Sequence, residues 1–254
     1  MAYMEVDGVS IQFGGLRALD GCSFSIKEGE ITCLVGPNGA GKTTIFNVIT
    51  GFLKPDSGQV RFRDRLLTGL TPQAIVRAGV ARTFQNLRLF VELSVLDNLL
   101  IALPRQFGDE PMRAIFRPIR TRRHSREQEG IAQRALEETG LAARAHDMVR
   151  NLSYGEQKML SIARVLATGA DLLLLDEPAS GLDAEALESA MTLLRRLQSE
   201  GKTLLVVEHN TRVVQRIADT VMFLHQGQLL AKGVPDEITR DPHLTEIYFG
   251  GVLG

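Results

Sequence analysis

Tryptophan is absent from this chain of 254 residues, cysteine occurs twice, and aromatic residues make up 6% of the total. So few cysteines argue against a small secreted domain held together by disulfides. Cys22 and Cys33 both lie in apolar, strand-like patterns. A single disulfide between them is one possibility, but we expect two buried thiols in a reducing compartment.

The sequence also lacks an excess of either charge and any long apolar run. Its formal net charge is −1, so no overall field draws it to nucleic acid or to anionic lipid. No apolar run approaches the roughly 18 residues needed to span a bilayer, and residues 1–6 lack the basic and apolar regions of a signal peptide. Hydrophobic residues at 44% and charged residues at 23% are ordinary for a globular protein. We expect a cytosolic α/β protein.

A glycine-rich stretch fits the phosphate-binding pattern G-x-x-x-x-G-K-[ST]. It follows an apolar strand-like run, Ile31–Val35, and precedes a helix-like run that ends at Gly51. Glycine has no Cβ, so the N–H groups of such a loop can approach a phosphate closely. A chance glycine-rich turn would not explain the strand before it and the helix after it. The predicted nucleotide-binding residues are Gly36, Pro37, Asn38, Gly39, Ala40, Gly41, Lys42, Thr43 and Thr44.

Two side chains of this loop point to ATP and Mg²⁺ as the ligands. Lys42 would neutralise the β- and γ-phosphates, and the Thr43 hydroxyl would ligate Mg²⁺.

The remaining patterns divide the chain into a core and an inserted segment. Short alternating strands and turns occupy residues 1–90, and apolar strands alternate with helices over 158–254. Residues 91–157 instead have helical patterns, beginning with Ser94 and Asp97 as a capping box in which Asp takes the place of Glu. We predict an α/β fold of one domain. Its phosphate-loop core has a mostly parallel sheet and an N-terminal antiparallel β-subdomain, and 91–157 forms an inserted helical subdomain.

Two acidic residues follow the most apolar run of the chain. The run Ala170–Asp176 is typical of a strand buried on both faces, and Glu177 comes next. Successive side chains of a strand point to opposite faces, so Asp176 and Glu177 cannot have the same part. Asp176 would reach a bound metal, and Glu177 would polarise the attacking water. The alternative is a strand that ends in two solvated carboxylates, which the phosphate loop makes the weaker interpretation.

Four further stretches give the chain a family resemblance. Leu152-Ser-Tyr-Gly-Glu-Gln157 resembles LSGGQ, the signature of the ATP-binding subunits of ABC transporters. That signature separates the family from other phosphate-loop proteins. Gln85 resembles the Q-loop glutamine, the stretch Ser180–Asp183 resembles the D-loop, and His209 resembles the switch histidine. All lie in the family's order, and the resemblance covers essentially the whole chain.

The resemblance implies that two copies enclose two ATP molecules head to tail. Each ATP then lies between the phosphate loop of one copy and the signature of the other. Glu177 and His209 would be the catalytic residues, with His209 contacting the γ-phosphate, and Gln85 would join Thr43 and Asp176 as a metal ligand. The signature residues that would face the other copy are Ser153, Tyr154, Gly155 and Glu156.

Further roles follow from the same resemblance. Asp183 would organise the dimer face, and Phe13 would stack on adenine unless it is a core residue of its strand. The signature would open a helix over Glu156–Leu166. This sequence departs from the family's signature at two positions, with Tyr154 in place of glycine and Glu156 in place of glutamine.

Several stretches are similar to one branch of the family, the branched-chain amino-acid importers. These are Phe13–Leu19, Thr83–Phe90, the tyrosine-containing signature, the arginine-rich insertion and the ending Leu244–Gly250. The resemblance implies two transmembrane permeases and a second ATP-binding subunit as partners, in a homodimer or heterodimer, with a binding protein acting indirectly. It implies no nucleic-acid partner and a peripheral position on the cytoplasmic side of the cell membrane.

Other functions stay open at this point. Exporters of lipid or lipopolysaccharide have similar motifs. Soluble ABC ATPases usually carry two ATP-binding halves or a long coiled-coil insertion, and this chain has neither pattern. A regulatory module that binds ATP without hydrolysing it is disfavoured by Glu177 and His209. The arginine-rich stretch 113–126 is either a solvated charged face or a contact with the membrane or a permease, and its one aromatic residue, Phe116, disfavours nucleic-acid binding.

The phosphate-loop assignment makes one direct prediction. Lys42→Ala removes the cation expected at the β- and γ-phosphates, so the variant should lose ATP binding. Nucleotide affinity measured by equilibrium titration tests this, and an affinity equal to that of the unaltered chain would contradict the assignment.

Overall fold

The computed structural model describes residues 2–103 and 118–250, except for the side chains of 118–125 and 248–250. Residues 113–117 of the arginine-rich stretch 113–126 therefore lie outside the described residues, and only the backbone of 118–125 is described. Within the described part of the chain, no helix is long and apolar enough to cross a membrane.

Strands and helices alternate along most of the chain. The strands are β1 Met4–Phe13, β2 Leu16–Ile26, β3 Ile31–Val35, β4 Ser57–Phe62, β5 Arg65–Leu66, β6 Val80–Arg82, β7 Leu172–Asp176, β8 Thr203–Val207, β9 Thr220–His225 and β10 Gln228–Gly233. The helices are α1 Lys42–Ile49, α2 Pro72–Arg77, α3 Val95–Ala102, α4 Pro118–Glu138, α5 Tyr154–Ala167, α6 Ala184–Ser199, α7 Thr211–Ile217, α8 Pro235–Arg240 and α9 Pro242–Gly250.

The strands form two sheets. The first has the order β2-β1-β4-β5 and is antiparallel throughout. The second has the order β10-β9-β3-β8-β7-β6, in which only β10 runs antiparallel to its neighbour. All residues of β3, β7 and β8 are buried, as continuous apolar strands in a parallel sheet must be. The predicted α/β core and N-terminal antiparallel sheet are confirmed.

The chain divides into two compact units. The first contains Met1–Arg82, Asp171–Ser180 and Leu187–Gly254, and the second contains Thr83–Ala170 and Gly181–Ala186. The core of the first unit packs side chains of both sheets around α1. The core of the second unit is made by α3, α4 and α5 together with the turns between α4 and α5. The described part of 91–157 lies in this second unit.

The start of α3 differs in one detail from its predicted capping box. The Ser94 hydroxyl accepts the Asp97 N–H at 3.0 Å, as expected of an N-cap. The Asp97 carboxylate, however, accepts from the Ser94 hydroxyl at 2.6 Å, where a capping box would take the Ser94 N–H. Aspartate is one methylene shorter than the glutamate of a capping box, and its carboxylate reaches the hydroxyl instead.

Both cysteines are buried and free, as predicted. Burial raises the pKa of the Cys22 thiol to about 11, and it raises the pKa of Cys33, in the middle of β3, still further. Both thiols are therefore protonated and unreactive in the folded protein.

A buried arginine ties the parallel sheet to α1. Arg82, the last residue of β6, approaches the Asp176 carboxylate at the end of β7 at 3.4 Å, and both side chains are about 5% exposed or less. The same guanidinium donates to the Asn47 side chain of α1 at 2.6 Å and lies 5.6 Å from the centre of the Phe46 ring. Burial raises the pKa of Asp176, and Arg82 opposes that shift.

We predict that Arg82→Met lowers the free energy of unfolding by about 3–5 kcal/mol at neutral pH, because Asp176 stays buried without this arginine beside it. A carboxyl whose pKa is raised by folding stabilises the fold in its protonated form, and that contribution is lost as the pH rises through the raised pKa. The variant raises that pKa further, so its deficit should shrink as the pH is lowered from neutral. Denaturant unfolding at several pH values measures this.

A second arginine of the same unit provides the control. Arg195 lies 3.0 Å from Asp219, but their side chains are 41% and 30% exposed. Arg195→Met should cost about 1 kcal/mol, a smaller loss than that of Arg82→Met at neutral pH. Equal losses for the two variants at every pH would contradict the role given to Arg82.

Candidate active site

The predicted phosphate loop connects β3 to α1, and two of its glycines pack closely against the backbone of other strands. A Cβ on Gly36 would lie 2.0 Å from the carbonyl oxygen of Leu224, and one on Gly41 would lie 2.7 Å from that of Ala18. Both glycines have positive φ, at 149° and 105°. Only glycine satisfies both demands at these positions. Gly41 precedes α1, and its position supplies no side-chain cap to the helix. The first backbone N–H groups of α1 can therefore bind an anion.

Lys42 is the first residue of α1 and is buried inside this loop. Its ammonium donates to the carbonyl oxygens of Gly36 at 2.7 Å and Pro37 at 2.8 Å. Burial lowers the pKa of Lys42, while the carboxylates of Glu177 and Asp176 oppose the shift. The next residue, Thr43, is exposed.

The two acidic residues after β7 have separate partners. Asp176, the last residue of β7, is buried against Arg82. Glu177 adopts a left-handed backbone conformation with φ 50°, and its carboxylate lies 2.8 Å from Nε2 of His209. Burial raises the pKa of Asp176 and Glu177 raises it further, while Arg82, His209 and Lys42 oppose the shift. The first unit thus brings together the loop lysine, both acids and the histidine.

Glu208 is a candidate that the sequence analysis did not identify. It precedes His209 directly, is 2% exposed, and its carboxylate accepts the N–H of Ala179 at 2.8 Å and that of His209 at 3.3 Å. A carboxylate directly after a strand with four apolar residues in a row was the signal that could have pointed to it.

The second unit carries the signature at the start of α5. The helix begins at Tyr154, two residues earlier than predicted, because Ser153 caps it. The Ser153 hydroxyl accepts the Glu156 N–H at 3.2 Å, and the Glu156 carboxylate accepts the Ser153 N–H at 2.7 Å. This reciprocal pair is a capping box. Glutamate in place of the family's glutamine therefore places a carboxylate at a helix N-terminus, where negative charge is stabilised.

Tyr154, the other departure from the family's signature, packs on a glycine of the D-loop. The residue is 50% exposed, and a Cβ on Gly181 would lie 2.9 Å from its ring. The Lys158 ammonium lies 5.6 Å from the centre of the same ring. A Cβ on Gly155 would approach the Ala186 side chain to 3.1 Å. The signature and the residues after it thus pack closely on the D-loop segment of the same unit.

The remaining predicted site residues are Asp183, Gln85 and Phe13. Asp183 accepts the Ala186 N–H at 2.9 Å, at the start of α6. Gln85 is exposed in the second unit. Phe13 ends β1 with 47% of its surface exposed, so the alternative of a core residue is wrong. The candidates therefore form two groups, one in each unit.

Comparison with known proteins agrees with these motifs. The sequence profile of the family described as ABC transporter matches residues 19–180. The high-affinity branched-chain amino acid transport ATP-binding protein LivG of Salmonella typhimurium is 40% identical over 97% of this chain and 97% of its own length. The corresponding protein BraF of Pseudomonas aeruginosa is 39% identical over the same shares.

Solved structures give the same result for the fold. A nucleotide-free ATP-binding cassette from an ABC transporter is similar with a TM-score of 0.85 and 31% identity, covering 97% of this chain and 98% of that one. An ADP-bound conformation of an ATP-binding cassette matches with a TM-score of 0.85 and 32% identity, covering 98% and 99%. Since the profile covers more than half of the chain and these relatives cover nearly all of it, the chain belongs to the ABC transporter family, as an ATP-binding cassette with ATPase activity.

Proposed function

We propose that this chain is the ATP-hydrolysing subunit of an importer for branched-chain amino acids or related amino acids and amides. The observation that carries the hydrolytic part is the pairing of Glu177 with His209 at 2.8 Å in the unit that also holds the phosphate loop. The importer part rests on the relatives of about 40% identity, which are named for that transport.

ATP binds along the loop Gly36–Thr44 in this proposal. Backbone N–H groups at the start of α1 and the Lys42 ammonium receive the phosphates, and Phe13 stacks on the adenine. The exposed Phe13 ring is available for such a contact.

The residues present fit Mg²⁺ as the accompanying ion. Its protein ligands in the first unit would be the Thr43 hydroxyl and the Asp176 carboxylate, both oxygen donors of the kind that Mg²⁺ prefers, and the resemblance to the family adds the Gln85 side chain. Mg²⁺ takes one or two carboxylates from a protein and completes its shell with water and substrate phosphates, so the single carboxylate of Asp176 is enough for it. The ion would neutralise the charge that develops on the phosphates.

Glu177 then acts as the general base that orients the attacking water and accepts its proton. His209 holds the Glu177 carboxylate in place and contacts the γ-phosphate. The second group of residues acts on the ATP held by another subunit, with Ser153, Tyr154, Gly155 and Glu156 at its γ-phosphate and Asp183 on the shared face. The N-terminus of α5 suits that contact through the backbone N–H groups of Tyr154 and Gly155, since the Glu156 N–H is bound by the Ser153 hydroxyl.

The chain works in a complex at the cytoplasmic side of the cell membrane. Its partners are two transmembrane permeases and a second ATP-binding subunit, identical or different, while a binding protein delivers the solute to the permeases. ATP binding closes the pair of ATP-binding subunits and hydrolysis opens it, which couples the chemistry to a conformational cycle.

The role of Glu177 is tested by Glu177→Gln, which keeps the size of the side chain and removes the base. The variant should still bind Mg-ATP and accumulate as a closed dimer, while turnover falls by about 10²–10⁴-fold. Nucleotide titration, size-exclusion chromatography and phosphate release measure the three properties. Rapid turnover would refute this role.

Purification of the tagged chain from its native host in mild detergent tests the transport function. Two multi-span permeases and a second ATP-binding subunit should co-purify, and reconstitution of that complex with its binding protein should give ATP-dependent leucine uptake. Co-purification with a soluble partner, and absence of the chain from the membrane fraction, would refute transport and leave the ATPase site standing. Movement of lipid out of the vesicles would favour the exporter alternative.

A further inference from the structure

We propose that Glu208 is a positioning residue that holds the backbone of Glu177 in the conformation hydrolysis needs. This inference rests on the proposed role of Glu177 as the general base. It concerns a residue that lies beside the reacting groups and acts through its hold on the loop after β7.

The first observation is the backbone conformation of Glu177. Its φ of 50° lies in the left-handed region, which a residue with a side chain adopts at a cost in free energy. Such a conformation persists only where the surroundings fix it. Something next to Glu177 must therefore hold this part of the chain.

The second observation is that the end of β8 provides that hold. The Glu177 N–H donates to the carbonyl oxygen of Val207 at 2.9 Å, which extends the β7–β8 pairing past the Asp176–Val207 pair. On the other side of Glu177, the Ala179 N–H donates to the buried carboxylate of Glu208 at 2.8 Å. The strained residue is thus fixed from both directions along the chain.

The residue between Glu177 and Ala179 makes these two hydrogen bonds an effective restraint on the Glu177 backbone. Pro178 has its φ fixed by its ring, so few rotations separate the Glu177 carbonyl from the Ala179 N–H. Fixing Ala179 therefore fixes the direction in which the chain leaves Glu177. The Glu177 carboxylate then meets Nε2 of His209 at 2.8 Å.

The chemistry of Glu208 fits this task better than a packing role. It is 2% exposed and follows the buried apolar strand Thr203–Val207. A carboxylate in such a place is costly unless it accepts hydrogen bonds. Glu208 accepts them from the backbone of both catalytic loops, at Ala179 and at His209. One side chain therefore holds the loop after β7 and the loop after β8 together.

The experiment compares Glu208→Ala, Glu208→Asp and Glu208→Gln by ATP turnover, KM for ATP and the urea midpoint of unfolding. Glu208→Ala removes the acceptor, and Glu208→Asp keeps the carboxyl group but withdraws it by about 1.5 Å, one carbon–carbon bond. Each should lower kcat by at least about tenfold, since small displacements of catalytic groups are costly, with KM changed by less than about twofold. Glu208→Gln keeps one oxygen that can accept the Ala179 N–H but turns an amide NH₂ toward the His209 N–H, so its kcat should lie between those of the unaltered chain and Glu208→Ala.

Thr203→Val is the matched control at the opposite end of β8. The Thr203 hydroxyl is also buried and accepts a backbone N–H, that of Gly29, at 2.9 Å. Its loss should lower the urea midpoint and leave kcat unchanged. If Thr203→Val lowers kcat as much as Glu208→Ala, or if Glu208→Gln is as impaired as Glu208→Ala, the positioning role is wrong. Should Glu208→Ala not fold, Glu208→Asp against Glu208→Gln decides in the same way.

The same assay separates this inference from the proposed function. If the unaltered chain hydrolyses ATP and Glu177→Gln does not, a normal kcat in Glu208→Ala and Glu208→Asp overturns the role of Glu208 alone. If Glu177→Gln keeps full turnover, the general-base role fails whatever the Glu208 variants do.

Discussion

The parallel pairing of β3, β8 and β7 is the constraint on which the candidate site depends. Because these neighbours run in the same direction, their carboxyl ends meet at one edge of the sheet, where open α/β sheets bind their ligands. The phosphate loop follows β3, Asp176 ends β7 with Glu177 directly after it, and His209 follows β8. Backbone hydrogen bonds between these strands bring three segments that are far apart in sequence into one site. The buried apolar side chains of these strands keep the sheet in place.

Much of this arrangement could be predicted from the sequence, because the signals are local. The loop Gly36–Thr44 has a fixed pattern, and the apolar runs of β3, β7 and β8 can belong only to buried elements. The alternation of side chains along a strand already separates Asp176 from Glu177. The structure gives these neighbours different partners, Arg82 for one and His209 for the other.

The parts that sequence reasoning missed depend on contacts between distant segments. Arg82 is an arginine at the end of a short strand, and nothing near it in sequence indicates that it will be buried against α1 and β7. Glu208 accepts a bond from Ala179, 29 positions away. The capping box at Ser153 and Glu156 was visible in the sequence, but the family's signature drew attention to nucleotide contacts and the helix was predicted to begin too late. The aspartate at Asp97 was treated as equivalent to glutamate, although its shorter side chain reaches a different donor.

The two buried cysteines have a consequence for how motion in this protein can be followed. Cys33 lies in the middle of β3, just before the phosphate loop, and Cys22 lies in β2 of the antiparallel sheet. Their thiols are protonated and shielded while each sheet is intact, and a thiol reagent reaches them only when that sheet opens. The rate at which each thiol is labelled therefore measures how often the surrounding sheet opens locally. Each sheet contains one such thiol, and bound nucleotide that stabilises the loop after β3 would slow the labelling of Cys33.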